Sequence, residues 1–323
     1  MSQQKAHVPQ VTHVVKGMVD TMIKSALDLS LIICTRNRAA QLAETLKRVA
    51  RIRSQLSWEL IIADNGSTDR TNEVVRDFAT LSERAARGIC MPGRGVSYAR
   101  NAGWQAAESD IVAYIDDDCY PAEDYLDAVF ACFAKDQRLG FVGGRILLYD
   151  PTDRKITIQE SLERRFFAPD SFIPVGVIHG ANLSFRRAAL AEVGGFDPWF
   201  GAGALFTTED AELAARISAA GWRGAYDPTP LIYHHHGRKT ARDEWWLMRS
   251  YDRGRGAYYA KCILNKRMRK RYLRNWLLTR RYHSWKTSAL EMVAGLEYVA
   301  RALLTGHSSG KENDRVLAAV VRQ

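Results

Sequence analysis

Residues 58–81, WELIIADNGSTDRTNEVVRDFATL, contain one complete strand–loop–helix unit. The apolar run WELIIAD predicts a buried strand, Asn-Gly predicts a turn, and Ser67 or Thr68 could cap the helix that carries NEVVRDFATL. Similar units lie on both sides, one starting with LSLIIC at Leu29 and one in which a helix after MPGRGVSYARNAG leads into DIVAYI. Strands that alternate with helices predict an α/β fold with a mostly parallel central sheet flanked by helices.

Polar residues follow three of the predicted strands at their carboxyl ends. They occupy residues 35–38, 64–69 and 116–118. In a parallel sheet this edge gathers the connecting loops and the helix N-termini, and ligands bind there. We therefore expect these three segments to form one site.

The composition is that of a folded globular chain with excess positive charge. The 323 residues are 46% hydrophobic and carry a formal net charge of +10. The five cysteines are scattered and form no C-x-x-C pair, which favours a reducing cytosol over a disulfide framework or a zinc site. The N-terminal segment has no apolar core typical of a signal peptide, and no apolar run approaches the roughly 20 residues of a membrane span. We expect a cytoplasmic protein whose charge permits nucleic acid, an anionic membrane or a phosphate-bearing substrate as partner.

Asp116-Asp117-Asp118 follows an apolar strand directly. Neighbouring carboxylates at a strand end repel one another unless a cation or solvent neutralises them. Mg²⁺ and Mn²⁺ prefer oxygen ligands of this kind, commonly one or two carboxylates together with substrate phosphates. The motif predicts a divalent metal site, with a solvated acidic turn as the alternative.

Other polar residues are weaker candidates when each is taken alone. Asp64 could accept hydrogen bonds from a base or ribose, or could only shape a turn. Arg100 and Asn101 could donate to an anion. Asp210 could act as a general base, but acidic residues also favour the first turn of a helix for electrostatic reasons. His234 and its two neighbours end a predicted strand and could complete a metal site.

Seven ordered motifs resemble those of the family 2 glycosyltransferases with the GT-A fold: IICTRNRAAQLAETL, LIIADNGSTDRT, GVSYARNAGWQAA, DIVAYIDDDCYP, GGFDPWF, TEDAELAARISAAGW and IYHHHG. The resemblance covers about Leu29 to Arg238. It implies an inverting enzyme that uses a UDP- or GDP-linked sugar and Mn²⁺ or Mg²⁺. The acceptor would be a hydroxyl of a sugar, a lipid-linked molecule or a protein, in bacterial-type polysaccharide, glycolipid or glycoconjugate synthesis.

The same resemblance implies roles for individual residues. Asp210 matches the catalytic base, which would take the proton of the acceptor hydroxyl. Asp118 and Asp116 match the D-x-D metal motif, with Asp118 as the first choice for direct ligand. His234 matches a histidine that completes metal or diphosphate binding, and His236 stays open as a substitute. The residues implied in donor binding are Thr35, Asn37, Asp64, Arg100, Asn101, Asp116 and Asp117.

The chain is predicted to have three parts: an N-terminal extension over residues 1–27, a GT-A domain over residues 28–240 and a helical C-terminal arm over residues 241–323. In the arm, the segment from Lys261 to Lys286 is rich in Lys and Arg, lacks Asp and Glu, and contains Tyr, Trp and Leu. Such segments can lie on anionic membranes, here the inner face of the cell membrane. A solvated helix packed on the catalytic domain is the alternative, and nucleic acid is not expected as the partner.

Two other classes of function compete with glycosyl transfer. A Rossmann-type oxidoreductase would share the alternating pattern, but TRNRAAQ replaces the G-x-G-x-x-G motif after the first strand. A non-catalytic basic protein that binds nucleic acid or a membrane is consistent with the arm. Its acidic strand ends would, however, repel phosphate unless a metal intervened.

Overall fold

The computed structural model describes residues 27–82, 85–91, 93 and 95–307. The predicted N-terminal extension, apart from Leu27, lies outside the described residues, and so do residues 308–323 of the predicted arm. Within the described ranges, none of the helices combines the length and apolarity that crossing a bilayer requires.

Strands and helices alternate through the first part of the chain, and helices alone follow from residue 241. The strands are β1 (Leu29–Thr35), β2 (Trp58–Asp64), β3 (Ala86–Cys90), β4 (Ile111–Asp116), β5 (Cys119–Pro121), β6 (Leu139–Leu148), β7 (Arg165–Phe167), β8 (Asn182–Arg186) and β9 (Arg223–His234). The helices are α1 (Ala39–Val49), α2 (Thr71–Leu81), α3 (Val96–Ala106), α4 (Tyr125–Ala134), α5 (Arg187–Val193), α6 (Glu209–Ala220), α7 (Ala241–Leu264), α8 (Arg269–Thr279) and α9 (Trp285–Thr305), and a 3₁₀ turn spans Arg280–Tyr282.

The described strands form one sheet in the order β3-β2-β1-β4-β8-β6-β9-β5, with β7 paired to β9. The predicted α/β class is confirmed, and β3, β2, β1 and β4 are parallel as expected. The other half is mixed, because β8 runs antiparallel to both β4 and β6 while β6 and β9 are parallel. The expectation of a mostly parallel sheet needs correction there. The chain from β6 to β8 contains no helix, and an antiparallel pair needs no helical crossover.

A bulge in β9 sets the register of the last part of the sheet. Gly143 of β6 pairs with Tyr226, but Arg145 pairs with Leu231, so that residues 227–230 face a single residue of β6. The Asn182 side chain stabilises this bulge by donating to the carbonyl oxygens of Arg145 and Pro230, at 2.9 and 3.0 Å. Beyond the bulge, β9 also pairs with β5.

Apolar layers cover both faces of the sheet. Leu31 and Ile33 of β1 lie in one buried cluster with side chains of α1 and α4, whereas Ile32 between them lies in the other, with side chains of α5 and α6. This alternation follows from the two-residue period of a strand. The carboxyl ends of β1, β2 and β4 remain available for a site at the edge of the sheet.

The predicted C-terminal arm is helical and packs on the preceding residues. Tyr258 of α7 donates a 2.7 Å hydrogen bond to the carbonyl oxygen of Ile173, and the Lys261 ammonium forms buried ion pairs with Asp197 and Glu212. Side chains of α7, α8 and α9 belong to the same apolar cluster as those of α5 and α6. The helices after residue 240 therefore extend the core of the α/β fold.

Two glycines allow α7 and α9 to approach closely. A Cβ atom at Gly256 would lie 2.1 Å from the carbonyl oxygen of Glu291, whereas one at Gly295 would lie 3.2 Å from the carbonyl oxygen of Gly256.

We predict that Gly256→Ala lowers the free energy of unfolding by about 2 kcal/mol, because a backbone clash outweighs the higher helix propensity of Ala. Gly295→Ala, the matched control, should change it by less than about 1 kcal/mol. Urea denaturation of both variants measures the difference, and equal stabilities would contradict the proposed packing constraint.

Candidate active site

The polar strand ends meet as the sequence predicts. In the parallel register, Thr35 of β1 lies opposite Asp64 of β2, and Cys34 lies opposite Asp116 of β4. Thr35 Oγ1 also donates a 2.7 Å hydrogen bond to Asp117 Oδ2. Segments that are far apart in the chain therefore share one edge of the sheet.

A group of potential metal ligands lies at the end of β4. Asp116, Asp118, Cys119 and His234 each offer one ligand atom, and these atoms all lie within 4.8 Å of one another. His234 reaches the group because it pairs with Cys119 where β9 meets β5. Its Nε2 atom lies 3.3 Å from Asp118 Oδ1. The geometry brings the predicted ligands together and adds Cys119, which the sequence did not single out.

Asp118 of this group and its neighbour Asp117 differ in electrostatic state. Burial raises the pKa of Asp117 to about 7, even though Arg38 and Thr35 favour its charged form. Burial also acts on Asp118, but its hydrogen bond with His234 and the charges of His234 and Arg38 hold its pKa below the ordinary value. The raised pKa of His234 reflects the same pair, against the effect of burial. A divalent cation would bind the ionised Asp118 and displace the proton of His234, because the neutral imidazole is the form that binds a metal.

Arg38 is a cationic residue of the site that lies in the predicted segment 35–38 but was given no role of its own by the sequence. Its Nε atom lies 2.9 Å from Asp117 Oδ1, and its NH2 atom lies 2.6 Å from Asp118 Oδ2. The side chain is 35% exposed, so it can also face a ligand. Its position in the loop after β1, at the same sheet edge as the acidic residues, was the available signal.

Asp64 keeps one carboxylate oxygen without a hydrogen bond among the described residues. Its Oδ1 atom accepts hydrogen bonds from the backbone and hydroxyl of Ser67, at 3.0 and 2.5 Å. Its Oδ2 atom is buried and unpaired within the described part of the chain. A buried unpaired acceptor is costly, so this oxygen is suited to a ligand donor such as a base N–H or a ribose hydroxyl.

Asn37 is exposed, and its side-chain amide is hydrogen-bonded to the loop after β2. Its φ of +52° lies in the left-handed region, which Asn tolerates better than most residues. Its Oδ1 atom accepts a 2.7 Å hydrogen bond from the backbone N–H of Thr68, and its own N–H donates to Ser67 Oγ at 2.8 Å. Asn37 thus ties the loop after β1 to the loop after β2, beside Asp64.

Arg100 connects the acidic strand end to the start of α6. It is 3% exposed, and its guanidinium lies 2.6 Å from Glu209 Oε1 and 3.4 Å from Asp116 Oδ1. It also donates to the carbonyl oxygen of Gly180, where an added Cβ atom would lie 2.7 Å from the guanidinium. The backbone N–H of Gly180 in turn donates a 3.0 Å hydrogen bond to Asp210 Oδ2.

Asp210 therefore lies next to the Arg100 network and outside the group of potential metal ligands. Its other oxygen accepts a 2.7 Å hydrogen bond from the backbone N–H of Ala211. Burial and the neighbouring Glu209 charge raise the pKa of Asp210 to about 7, although the two backbone donors and Arg100 favour the ionised form. A carboxylate of this kind can accept a proton near neutral pH.

Asn101 makes its hydrogen bonds away from the acidic cluster formed by Asp116, Asp117 and Asp118. It is fully buried, donates a 2.8 Å hydrogen bond to the carbonyl oxygen of Phe196 and accepts one of 2.8 Å from the backbone N–H of the same residue. These contacts fix the loop around Phe196 against α3. Its role in donor binding stays a prediction.

The three consecutive histidines have different partners. His234 faces Asp118, His235 Nδ1 lies 2.9 Å from the Tyr120 hydroxyl, and His236 Nε2 lies 3.1 Å from the carbonyl oxygen of Arg154. The geometry favours His234 over His236 for completion of a metal site.

Tyr251 of α7 is a second residue that sequence reasoning missed. Burial and the charges of Asp210 and Glu209 raise the pKa of its phenol above the ordinary value. The C-terminal helices thus contribute a side chain to the surroundings of Asp210. Only tertiary packing places it there, so no local pattern pointed to it.

The comparisons with known proteins agree with this architecture. The family model described as "Glycosyl transferase family 2" matches residues 30–194, just over half of the chain. "Probable glycosyltransferase YdaM" of Bacillus subtilis is 23% identical over 240 residues, which are 71% of this chain and 55% of that protein. The "Pre-mycofactocin glycosyltransferase" of Mycobacterium tuberculosis is 27% identical over 229 residues, 69% of this chain and 45% of that protein. The chain spans about half the length of these curated relatives.

Solved structures show the same fold. The mannosyltransferase PcManGT from Pyrobaculum calidifontis, in complex with GDP-Man and Mn²⁺, matches with a TM-score of 0.56 at 20% identity, over 92% of this chain and 86% of that one. S. aureus TarS 1-349 in complex with UDP-GlcNAc matches with a TM-score of 0.57 at 15% identity, over 76% of this chain and 69% of that one. The chain belongs to glycosyl transferase family 2 and has the GT-A fold.

Proposed function

We propose that the protein is an inverting glycosyltransferase that moves a sugar from a nucleoside-diphosphate sugar to an acceptor hydroxyl. One observation carries the proposal. Arg100 joins a group of potential metal ligands at Asp116 to the start of α6, where Asp210 is held with a pKa of about 7. A divalent metal site and a separate base next to it are what this transfer requires.

Donor binding is assigned to the loops after β1, β2 and β4. The unpaired Asp64 Oδ2 would accept a hydrogen bond from the base or ribose of the nucleotide. Thr35 lies opposite Asp64 in the sheet, and Asn37 is hydrogen-bonded to the loop after β2. Arg38 would face the diphosphate from its place beside Asp117. The relatives' ligands leave both UDP and GDP as candidates, because TarS was solved with UDP-GlcNAc and PcManGT with GDP-Man.

Asp118, Asp116 and His234 would hold the metal, Mn²⁺ or Mg²⁺. Carboxylate oxygens and one imidazole nitrogen fit either cation, and the ligand atoms are already close together. When bound, the metal supplies electrostatic stabilisation for the diphosphate that leaves. The Cys119 thiol is fully buried, and burial raises its pKa well above the ordinary value, so it is a weaker ligand than the carboxylates.

Asp210 would act as the general base. Its carboxylate takes the proton from the acceptor hydroxyl while that oxygen forms a bond to the anomeric carbon. The bond from the anomeric carbon to the phosphate oxygen breaks, and the nucleoside diphosphate leaves with the electron pair. A single displacement inverts the configuration, and no covalent intermediate with the enzyme is needed.

The acceptor classes are a sugar, a lipid-linked molecule or a protein, in polysaccharide, glycolipid or glycoconjugate synthesis. The relatives act on diverse acceptors by name, such as pre-mycofactocin and glucosyl-dolichyl phosphate. We place the protein in the cytoplasm, with peripheral contact to an anionic membrane.

A screen of UDP- and GDP-sugars for metal-dependent hydrolysis and transfer tests the proposed function. A protein that hydrolyses and transfers none of these sugars would contradict it.

The first prediction from the proposed function concerns the metal ligands. UDP or GDP binding should need Mn²⁺ or Mg²⁺ in the wild type, and Asp118→Ala should remove this metal dependence because the ionised ligand is lost. Calorimetric titration with and without metal measures the effect. His234→Ala should weaken Mn²⁺ binding by at least about tenfold, whereas His236→Ala, the matched control, should not. Equal nucleotide affinity with and without metal in wild type and Asp118→Ala would refute the assignment.

The second prediction concerns pH. Asp210 must be ionised to accept a proton, and its pKa of about 7 lies above the ordinary value for Asp. The transfer rate at saturating substrates should therefore fall as pH drops below about 7, by about tenfold per pH unit, and level off above it. A rate that stays constant from weakly acidic to neutral pH, with nucleotide binding intact, would argue against this base.

The third prediction separates catalysis from helix capping. Asp210→Asn keeps the size of the side chain and caps a helix comparably well, but it removes the charge and the basicity. Transfer should fall by about a hundredfold or more while UDP or GDP affinity survives. Rates at saturating donor and acceptor measure the effect, and a thermal melt serves as the folding control. A rate within a few-fold of wild type would show that Asp210 only shapes its helix.

A further inference from the structure

One face of α9 is apolar and exposed along the length of the helix. Its large apolar side chains are 44% to 86% exposed and recur at helical spacing, so that they form one stripe. The stripe consists of Trp285, Met292, Val293, Leu296, Leu303 and Leu304. The opposite face, with Ala294, Gly295 and Tyr298, is buried against the rest of the protein. A helix of this length extends the stripe over about 30 Å.

A groove connects this stripe to α8. The groove has a volume of about 510 Å³ and is lined by Leu277, Arg280, Arg281, His283, Trp285 and Met292, among others. On its α8 side, Leu273, Leu277 and Leu278 are 40% to 55% exposed. The α9 stripe, the groove and these leucines make up the α8–α9 face.

The border of the α8–α9 face is cationic. No acidic residue occurs between Lys261 and Ala289. Among the described residues, no acidic side chain forms an ion pair with the five cations Lys270, Arg274, Arg280, Arg281 and Lys286. Their charge is therefore available to an anionic partner.

The combination of apolar and cationic groups selects among possible partners. A second copy placed by two-fold symmetry would bring the same cations face to face, which is unfavourable. Nucleic acid would satisfy the cations but leave the apolar stripe in water. An anionic bilayer satisfies both, because acyl chains cover the apolar stripe and phosphate headgroups meet the cations.

We propose that the α8–α9 face is the surface by which this protein docks on an anionic lipid bilayer. It deepens the proposed function, on which it rests for the idea that a lipid-linked acceptor is met at the membrane. The proposal also assigns membrane binding to a different part of the chain from the Lys261 to Lys286 segment that the sequence indicated. Part of the Lys261 to Lys286 segment faces inward, at Cys262, Met268 and Tyr272, and most of the apolar stripe lies after it.

The test uses the full chain and vesicle sedimentation. Wild type should bind vesicles of phosphatidylcholine with phosphatidylglycerol, bind pure phosphatidylcholine at least about tenfold more weakly, and lose affinity as salt rises. Leu296→Asp combined with Leu303→Asp should weaken binding by at least about tenfold, because two apolar contacts are replaced by repulsive charges. Leu81→Asp, at an 82% exposed site on α2, is the matched control and should bind like wild type.

Failure to bind the anionic vesicles, or equal binding by the double variant and wild type, would overturn the proposal. The proposal would also be overturned if analytical ultracentrifugation found that the wild type is a dimer and the double variant is a monomer. The face would then be an interface between copies of the protein. Metal-dependent hydrolysis of the nucleotide sugar, measured without vesicles, should be the same in the double variant and wild type. It reports on the proposed function separately, so each idea can fail without the other.

Discussion

Arg100 is buried with its charge between acidic groups from distant parts of the chain. Taking a guanidinium out of water costs several kcal/mol unless charged partners and hydrogen-bond acceptors compensate. Glu209, Asp116 and the carbonyl oxygen of Gly180 supply that compensation. If the end of β4 and the start of α6 separated, the Arg100 charge would lose one of its acidic partners or become exposed to solvent. The spacing between the potential metal ligands and Asp210 depends on this interaction.

The C-terminal helices support the same region from the other side. Thr207, just before α6, donates a 2.9 Å hydrogen bond to the carbonyl oxygen of Ser250, and a Cβ atom at Gly254 would lie 2.3 Å from the Thr207 hydroxyl oxygen. Close packing of α7 thus holds the residues that lead into Asp210. Because α9 packs on α7 in turn, the α8–α9 face is connected to the surroundings of Asp210 by direct helix contacts.

The sequence predicted those features that local patterns encode. Apolar runs followed by polar residues located β1, β2 and β4, and the shared edge of a parallel sheet then brought Thr35, Asp64 and Asp116 together. Features that depend on tertiary packing were not predictable in this way. Tyr251 comes within electrostatic range of Asp210 only because α7 folds back. The mixed half of the sheet depends on a connection without a helix. The contacts of Asn101 with Phe196 also appear only in three dimensions, and its role in donor binding stays a prediction.

The bulge in β9 has a consequence for how this strand can change in evolution or design. Side chains alternate between the two faces of a strand, so removing or adding one residue between Tyr226 and Leu231 shifts every later residue to the opposite face unless the bulge absorbs the change. After a deletion, His235 would occupy the position of His234, so the imidazole beside Asp118 would come from a different histidine. After an insertion, Tyr233 would occupy that position, and a phenol would replace the imidazole. Insertions are therefore tolerable in the bulge only when their length preserves the pairing of Cys119 with His234. The number of residues in the bulge, at 227–230, thus determines which side chain of the later strand lies beside Asp118.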